Sequence, residues 1–445
     1  MDESSILSQI PHRIYVLLQE IGAVGENAAR SVYVVGGFVR DFLLERENLD
    51  LDIVLEGDAI RFANRLAEAW RGTVQSHQQF GTATVTRPDG LKIDFVSARS
   101  ETYASPGALP SIKYSTIEVD LRRRDFSTNA LAIQLNPGAF GEIVDCTHGI
   151  RDLRAGCIRV LHDQSFIDDP TRIFRAIRYE QRYGFQIIEG DQKRIREAVD
   201  QGVLDLISGQ RIRSEIDRIL LEEAAPRMVR RMLEFDLFWA IHPAWGIPPN
   251  FDALWNAAHQ AIDWAATHLP DDQLDPGVIL WMPLLTAPAS LERKRESPRS
   301  LGGEGRGPSG TVEAVSDRLA LENQLQAKLI AKDQLWHVLE PLSASSRPSE
   351  VYKLLNSYPL EPLIFALKAP NQPDWRREKI RDYLIHARGV QPLINGDDLI
   401  QLGLKPGRLF AEVLWKAFAA QLDGKVLTKQ EAYQFLANFF ARKKS

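Results

Sequence analysis

The sequence predicts an α+β protein: a head of mixed strands and helices over residues 1–150, then a remainder that is all helix. Two observations predict it. Short runs rich in Val, Ile, Thr and Phe alternate with helical periods through the head. After Leu161 the strand signal stops and helical periodicity continues toward the end of the chain.

The elements follow in order. A helical period covers 5–21, and an apolar run at 31–35 reads as a strand. Gly36-Gly37 breaks it, and 38–45 reads as a helix. Strand 51–55 and helix 58–69 come next, then strands at 81–86, 92–96 and 130–135. Residues 287–311 are crowded with Gly, Pro, Ser and Arg and read as a disordered insertion. Past Gln391-Pro392 the chain turns through Asn395-Gly396-Asp397-Asp398 into helical patterns again.

Composition narrows the function. A length of 445 residues implies several domains, and an apolar fraction of 44% is ample for their cores. The net charge of −5 gives no general attraction to nucleic acid, so any RNA contact must come from local basic patches. Two cysteines, Cys146 and Cys157, make neither a disulfide framework nor a zinc site, which points to a reducing, cytoplasmic setting. The acidic, polar residues 1–9 do not read as a secretory signal, and no apolar run is long enough to span a bilayer.

Three clusters carry chemistry. In the first, Gly36 and Gly37 let backbone approach a phosphate closely, and the helix beginning there offers free N–H groups. Asp50 and Asp52 follow. Two residues apart on a strand, they project from one face and repel each other unless a cation lies between them. Oxygen ligands with room for water and phosphate suit Mg²⁺. Asp94, in Lys92-Ile93-Asp94, either joins that metal or pairs with a base.

The second cluster, 121–130, sets Arg122, Arg123 and Arg124 beside Asp125 and Asn129. Arginine forks match triphosphate oxygens, and an asparagine amide matches a ribose hydroxyl. The third is Asp168-Asp169-Pro170-Thr171-Arg172. Proline after aspartates starts a helix well, so capping explains one acid. A sharper reading pairs Asp169 with Arg172. Adenine and cytosine share an edge with an amino group beside an unprotonated ring nitrogen. A carboxylate and an arginine complement that edge and clash with guanine or uracil. Further along, Arg175, Arg178 and Arg182 form one stripe, either a solvated face or a phosphate-binding one.

Taken together, Gly36-Gly37-x-Val39-Arg40-Asp41, Asp50-x-Asp52, Arg123-Arg124-Asp125 with Asn129, and Asp168-Asp169-x-x-Arg172 resemble the ordered motifs of class II tRNA nucleotidyltransferases. These are the CCA-adding enzymes and the related bacterial poly(A) polymerases. A weaker echo lies at Asn395-Gly396-x-Asp398-Leu399. The resemblance implies a polymerase-beta-like nucleotidyltransferase head over 1–150 and a helical neck over 151–225. A helical body over 226–390 and a helical, tRNA-contacting tail over 391–445 complete it. It implies that Asp50 and Asp52 hold two Mg²⁺ ions, which Asp94 would join on the reading of its strand given above. Gly36, Gly37, Arg40, Arg123, Arg124, Asp125 and Asn129 would face triphosphate and ribose. Asp168, Asp169 and Arg172 would read the base, with Arg175 and Arg178 beside them. Asp152 and Arg159 would match a hinge, and Arg211 and Glu215 a supporting motif. The base-reading motif of the family usually begins Glu-Asp; here it is Asp168-Asp169. The implied activity is addition of C and/or A from CTP and ATP to tRNA 3′ ends. Poly(A) addition to varied RNA and non-catalytic RNA binding are the alternatives. Residues 98–110 and 169–182 resemble the branch in which separate enzymes add CC and A, and lean toward A.

Overall fold

Helix α1, His12–Asn27, begins after Pro11 and runs beyond the end expected at residue 21. Two glycines account for the difference. A Cβ on Gly22 would sit 1.7 Å from the carbonyl oxygen of Leu135, and one on Gly25 would sit 2.3 Å from a Val32 methyl. These positions read as breakers in sequence, yet here they are where the helix presses closest to its neighbours. The computed structural model describes residues 10–102, 111–286, 308–402 and 407–444. They fall into two units that divide between Ala240 and Ile241.

The first unit continues with strand β1 (Val32–Val35), helix α2 (Gly37–Leu43), β2 (Leu51–Leu55), α3 (Ala59–Trp70), β3 (Thr73–His77), β4 (Thr82–Thr86) and β5 (Lys92–Ser97). A two-stranded ribbon, β6 (Arg99–Thr102) and β7 (Ser111–Tyr114), precedes α4 (Ile117–Arg122), β8 (Ala132–Gln134) and β9 (Ile143–Val144). One sheet runs in the order β3-β4-β5-β2-β1-β8-β9. Its centre is mixed: β2 pairs antiparallel with β1 and parallel with β5. Central strands buried on both faces are near-continuous apolar runs, and β1 is buried at all four positions. Asp58 caps α3 by accepting from the Arg61 N–H at 3.0 Å, and Ala59, Phe62, Ala63 and Leu66 bury its apolar face. With α1, that face covers Ile53, Ile93, Phe95 and Ile133 of the sheet.

Two expectations are corrected here. β2 begins at Leu51, so Asp50 stands just before the strand rather than on it. Strands β3, β6, β7 and β9 were not expected. β3 reads Thr-Val-Gln-Ser-His, mostly exposed, and so carries no apolar alternation for a sequence reading to find.

The helical part of the unit comprises α5 (Gly149–Arg154), β10 (Cys157–Ile158), α6 (Ser165–Asp168), α7 (Thr171–Tyr183), β11 (Gln186–Ile187), α8 (Glu189–Asp200), α9 (Gly209–Leu220) and α10 (Ala225–Glu234). The short parallel pair β10–β11 interrupts the all-helical pattern expected there. α7 is amphipathic in an unusual sense. It buries Ile173, Phe174 and Ile177 but also Arg172, Arg178 and Glu180. It stops at Gly184, whose φ of 69° is the left-handed conformation that ends helices.

The second unit is helical among its described residues. Leu329, Leu335, Ile364 and Phe365 are fully buried there. Lys332 is buried with them, and its ammonium donates to the Leu285 carbonyl at 2.9 Å and pairs with Asp333 at 2.8 Å. Helices Gly396–Gln401, Arg408–Leu422 and Lys429–Lys444 pack Leu399, Val413, Val426 and Leu436 into a further core. The echo at Asn395-Gly396 resolves into a helix start. Asn395 accepts from Asp397 and Asp398, and Asp398 accepts from the Asn395 N–H at 2.9 Å. Of the expected insertion 287–311, residues 287–307 lie outside the described residues. Residues 308–311 open the helix Pro308–Arg318 instead of continuing a disordered stretch.

Candidate active site

The site starts where β1 ends. Gly36 has φ of 69°, and a Cβ there would lie 2.9 Å from Arg124 Nη1 and 3.8 Å from Asp52 Oδ2. The left-handed φ calls for glycine, whereas the space a Cβ would need is taken only by the tip of the Arg124 side chain. Asp52 lies opposite Val35 in the antiparallel ladder and opposite Asp94 in the parallel one. Burial first, then the neighbouring Asp50 and Asp94, push the Asp52 carboxyl up to about 6 against the pull of Arg124. Asp94 accepts a hydrogen bond from the Thr84 hydroxyl. Asp50 is exposed, and its N–H donates to Asn48 Oδ1 at 2.8 Å.

Behind this edge lies a buried chain of charge. Arg40 forks onto Asp41 (2.8 and 2.9 Å) and donates to Asn129 Oδ1 at 2.5 Å. Its guanidinium also lies over the rings of Tyr179 and Tyr183, 5.0 and 4.6 Å from their centroids. Asn129 donates to Asp125 Oδ1 at 3.0 Å, and Asp125 receives Arg175 Nε at 2.8 Å. Burial would raise the Asp125 carboxyl, but Arg175 and Asn129 hold it at about 2. The turn carrying Asn129 is pinned from below. Ser127 donates its hydroxyl to buried Asp152 at 2.8 Å, and Arg159 Nε donates to the same carboxylate at 2.8 Å.

The arginine pair is held by α4. Arg123 donates to Asp120 at 2.6 Å and to Glu101 at 2.8 Å. Arg124 reaches the other Asp120 oxygen at 3.2 Å, and this leaves its Nη1 beside Gly36. The opposite wall is α7. Asp169 Oδ1 accepts from the Thr171 N–H (3.1 Å), the Thr171 hydroxyl (2.6 Å) and Arg211 Nη2 (2.8 Å). Capping therefore occupies one carboxylate oxygen, and Oδ2 has no partner among the described residues. Arg172 is buried, donating to the Ser165 hydroxyl at 2.6 Å and to the Arg123 carbonyl at 3.1 Å. Arg178 approaches Glu215 at 3.7 Å, Glu215 also pairs with Arg218, and Arg182 pairs with Glu222.

These walls enclose a polar cleft of about 520 Å³. It lies within the size range of small-molecule sites. Of the residues singled out in the three clusters and the motifs of the head and neck, Asp94, Arg122, Asp152, Arg159, Asp168 and Arg211 do not line it, while Gly36, Gly37, Arg40, Asp41, Asp50, Asp52, Arg123, Arg124, Asp125, Asn129, Asp169, Arg172, Arg175, Arg178, Arg182 and Glu215 do. Asp168 faces His162, at 3.8 Å, instead of the cleft. The stripe of Arg175, Arg178 and Arg182 lines the cleft and is ion-paired, so it is no freely solvated face. Sequence reasoning assigned no site role to Asn48, Glu101, Thr171 and Tyr179, which also line it; Asn48 belongs to no recognisable pattern. Among the described residues, no group of three or more His, Cys, Asp or Glu is gathered as a ready metal cage.

Residues 32–159 match the model of the poly A polymerase head domain, and residues 184–246 match the "Probable RNA and SrmB- binding site of polymerase A". An A-adding tRNA nucleotidyltransferase of Geobacter sulfurreducens is 36% identical over 95% of this chain, which spans 46% of that relative's length. One of Halalkalibacterium halodurans is 34% identical over 96% of this chain and 93% of its own length. A solved CCA-adding enzyme in an apo form superposes with a TM-score of 0.81 at 34% identity, over 98% of this chain and 99% of that one. The Thermotoga maritima CCA-adding enzyme complexed with tRNA superposes at 0.73 and 32% identity, over 99% of each chain. With the motifs, the mixed sheet and the length of these matches in agreement, the chain belongs to the tRNA nucleotidyltransferase family.

Proposed function

We propose that this chain transfers a nucleotide from ATP or CTP to the 3′ end of tRNA, and that it adds the terminal A. The observation that carries the reading is one cleft with two unlike walls: Asp50 and Asp52 on the sheet side, Asp169 and Arg172 on the helical side. The first pair suits a metal-bound triphosphate and the second a base edge. The two relatives named as A-adding match along most of this chain, which supports A as the nucleotide.

The acids fit Mg²⁺. Asp52 lies between two other carboxylates, and its own charge is disfavoured there without a cation. Asp50 and Asp52 would hold two ions together with phosphate oxygens, an oxygen-only set open to substrate and water. Bound Mg²⁺ supplies charge neutralisation at the reacting phosphate and a lowered pKa for the attacking hydroxyl. Asp94, tied to Thr84, would steady Asp52 from the next strand.

The chain's own groups do the positioning. Arg124 Nη1, beside Gly36, would meet triphosphate oxygens, while Arg123 holds Glu101 and presents its carbonyl to Arg172. Asp169 Oδ2 would accept from the amino group of adenine. Each terminal nitrogen of Arg172 keeps a second hydrogen for the ring nitrogen. Since cytosine offers the same edge, this pair selects A and C together.

The test is tRNA ending before, after one and after two cytidines, offered each nucleotide separately with Mg²⁺. We expect incorporation of A onto tRNA ending in two cytidines, and none with UTP or GTP. Incorporation of C onto the shorter tRNAs would replace A addition by CC or CCA addition. Equal activity on unstructured RNA would favour poly(A) synthesis, and no incorporation at all would overturn the reading.

A further inference from the structure

Asp52 and Asp50 are held in different ways. Asp52 sits inside the sheet, paired with Val35 on one side and Asp94 on the other. Asp50 precedes β2 and has no ladder partner on either neighbouring strand. Its backbone N–H is held instead by a side chain, Asn48 Oδ1 at 2.8 Å. The other end of that amide donates to Asp41 Oδ2 at 2.7 Å. Asp41 is locked by the Arg40 fork, Arg40 by Asn129, Asn129 by Asp125 and Asp125 by Arg175 of α7. Arg40, Asp41, Asn129 and Asp125 are all buried. Asn48 is therefore the last link of a rigid, solvent-excluded relay, and it ends on the backbone of an exposed acid that the sheet leaves free. Hydrogen-bond relays of this kind orient the groups that hold a metal.

We infer that Asn48 is a positioning residue: it sets Asp50 for cation binding by tying that backbone to the buried Arg40–Asp41 pair. The inference rests on the nucleotidyl-transfer reading for its effect on rate, but not for its effect on cation affinity. No group of Asn48 needs to touch substrate.

The test compares the full-length wild type with Asn48→Ala and Asn48→Asp. Nucleotide incorporation into tRNA, direct Mn²⁺ titration and thermal melting are measured on each. Loss of an orienting partner of this kind costs about 10–100-fold in metal affinity or activity. Asn48→Ala should lower kcat and weaken Mn²⁺ binding by about that factor, with the KM for nucleotide and the melting temperature little changed. Asn48→Asp keeps an acceptor for the Asp50 N–H but sets a carboxylate against Asp41, so it should be damaged too. Wild-type kcat in either variant overturns the inference. So does a loss of activity that tracks a lowered melting temperature while Mn²⁺ affinity stays put. If the wild type itself adds no nucleotide, the functional reading fails. The Mn²⁺ titration then decides the inference alone, and unchanged affinity in Asn48→Ala overturns it.

Discussion

The two walls of the cleft treat charge in opposite ways. On the α7 side charged groups come in pairs: Asp125 with Arg175, Arg182 with Glu222, and Glu180 with Arg231 at 2.8 Å. On the β2 side Asp50 and Asp52 line the cleft, Asp94 stands beside Asp52 behind the lining, and Arg124 is the cation that opposes their charge at Asp52. A buried charge without a partner is costly, and pairing removes most of that cost. The helical wall is therefore largely balanced in charge, although Arg178 Nε and Glu215 Oε2 are buried there without a hydrogen-bond partner among the described residues. The sheet wall is left with excess negative charge that a bound cation would offset. On the proposed reading, that imbalance is the reactive edge.

The strongest way to break this contrast is to remove the acids. Asp50→Ala or Asp52→Ala should reduce nucleotide incorporation to background while leaving the melting temperature undiminished. Near-normal turnover in either variant would take that residue out of the mechanism.

Next comes the paired wall. Arg175→Ala would leave the Asp125 carboxylate buried and unpaired, which should cost about 3–5 kcal/mol in denaturant unfolding at neutral pH. The wild-type pair has its own pH signature. Asp125 is held at about 2, below its value in the unfolded chain. Its stabilising contribution is complete above roughly pH 4 and is lost as pH falls toward about 2. Arg175→Ala should erase that acid-sensitive component.

Asp52 should show the reverse. Raised to about 6, it keeps its proton in the fold after the unfolded chain has released it. Stability of the metal-free protein should therefore fall as pH climbs from roughly 4 to 6, by on the order of 1–3 kcal/mol. Asp52→Asn should remove the slope and raise the melting temperature at pH 7, and Mg²⁺ should recover part of the loss in the wild type. A wild type whose stability is flat across that window would contradict the assignment.

The smallest effect concerns selectivity. Arg172→Ala should lower the ratio of correct to wrong nucleotide by about ten- to a hundredfold, the 1–3 kcal/mol of one well-made base contact. Asp169→Ala should do likewise, with UTP the intruder. It should also lose stability, because Asp169 Oδ1 caps Thr171 and holds Arg211. An unchanged ratio in Arg172→Ala, measured with all four nucleotides, would leave capping as the role of this motif.

Much of the sheet wall was legible because it is local. Strand, glycine turn, helix and acid pair lie between Val32 and Leu55, and each follows from residue type and spacing. The helical wall was legible only as a list of candidates. Asp125 and Arg175 were both singled out, yet nothing in their spacing says that they bind each other across the cleft instead of a ligand. Asn48 was invisible for a related reason, since a lone asparagine in a loop reads as a turn. The edge strand β3 was missed because exposure removes the apolar pattern that marks strands.

By itself the sequence determined the run of elements from β1 to β2, the glycine at the turn after β1 and the identity of the acids. These depend on backbone preference and on neighbours within a few residues. Tertiary structure alone decided which charges are spent on each other and which face the cleft. Arg123 proved to be held by Asp120 and Glu101, Asp168 to face His162, and Asp94 to stand beside Asp52 behind the cleft lining. The physical reason is range. A side chain's partner is set by whatever the fold brings within about 3 Å, and no local pattern encodes that for residues fifty positions apart.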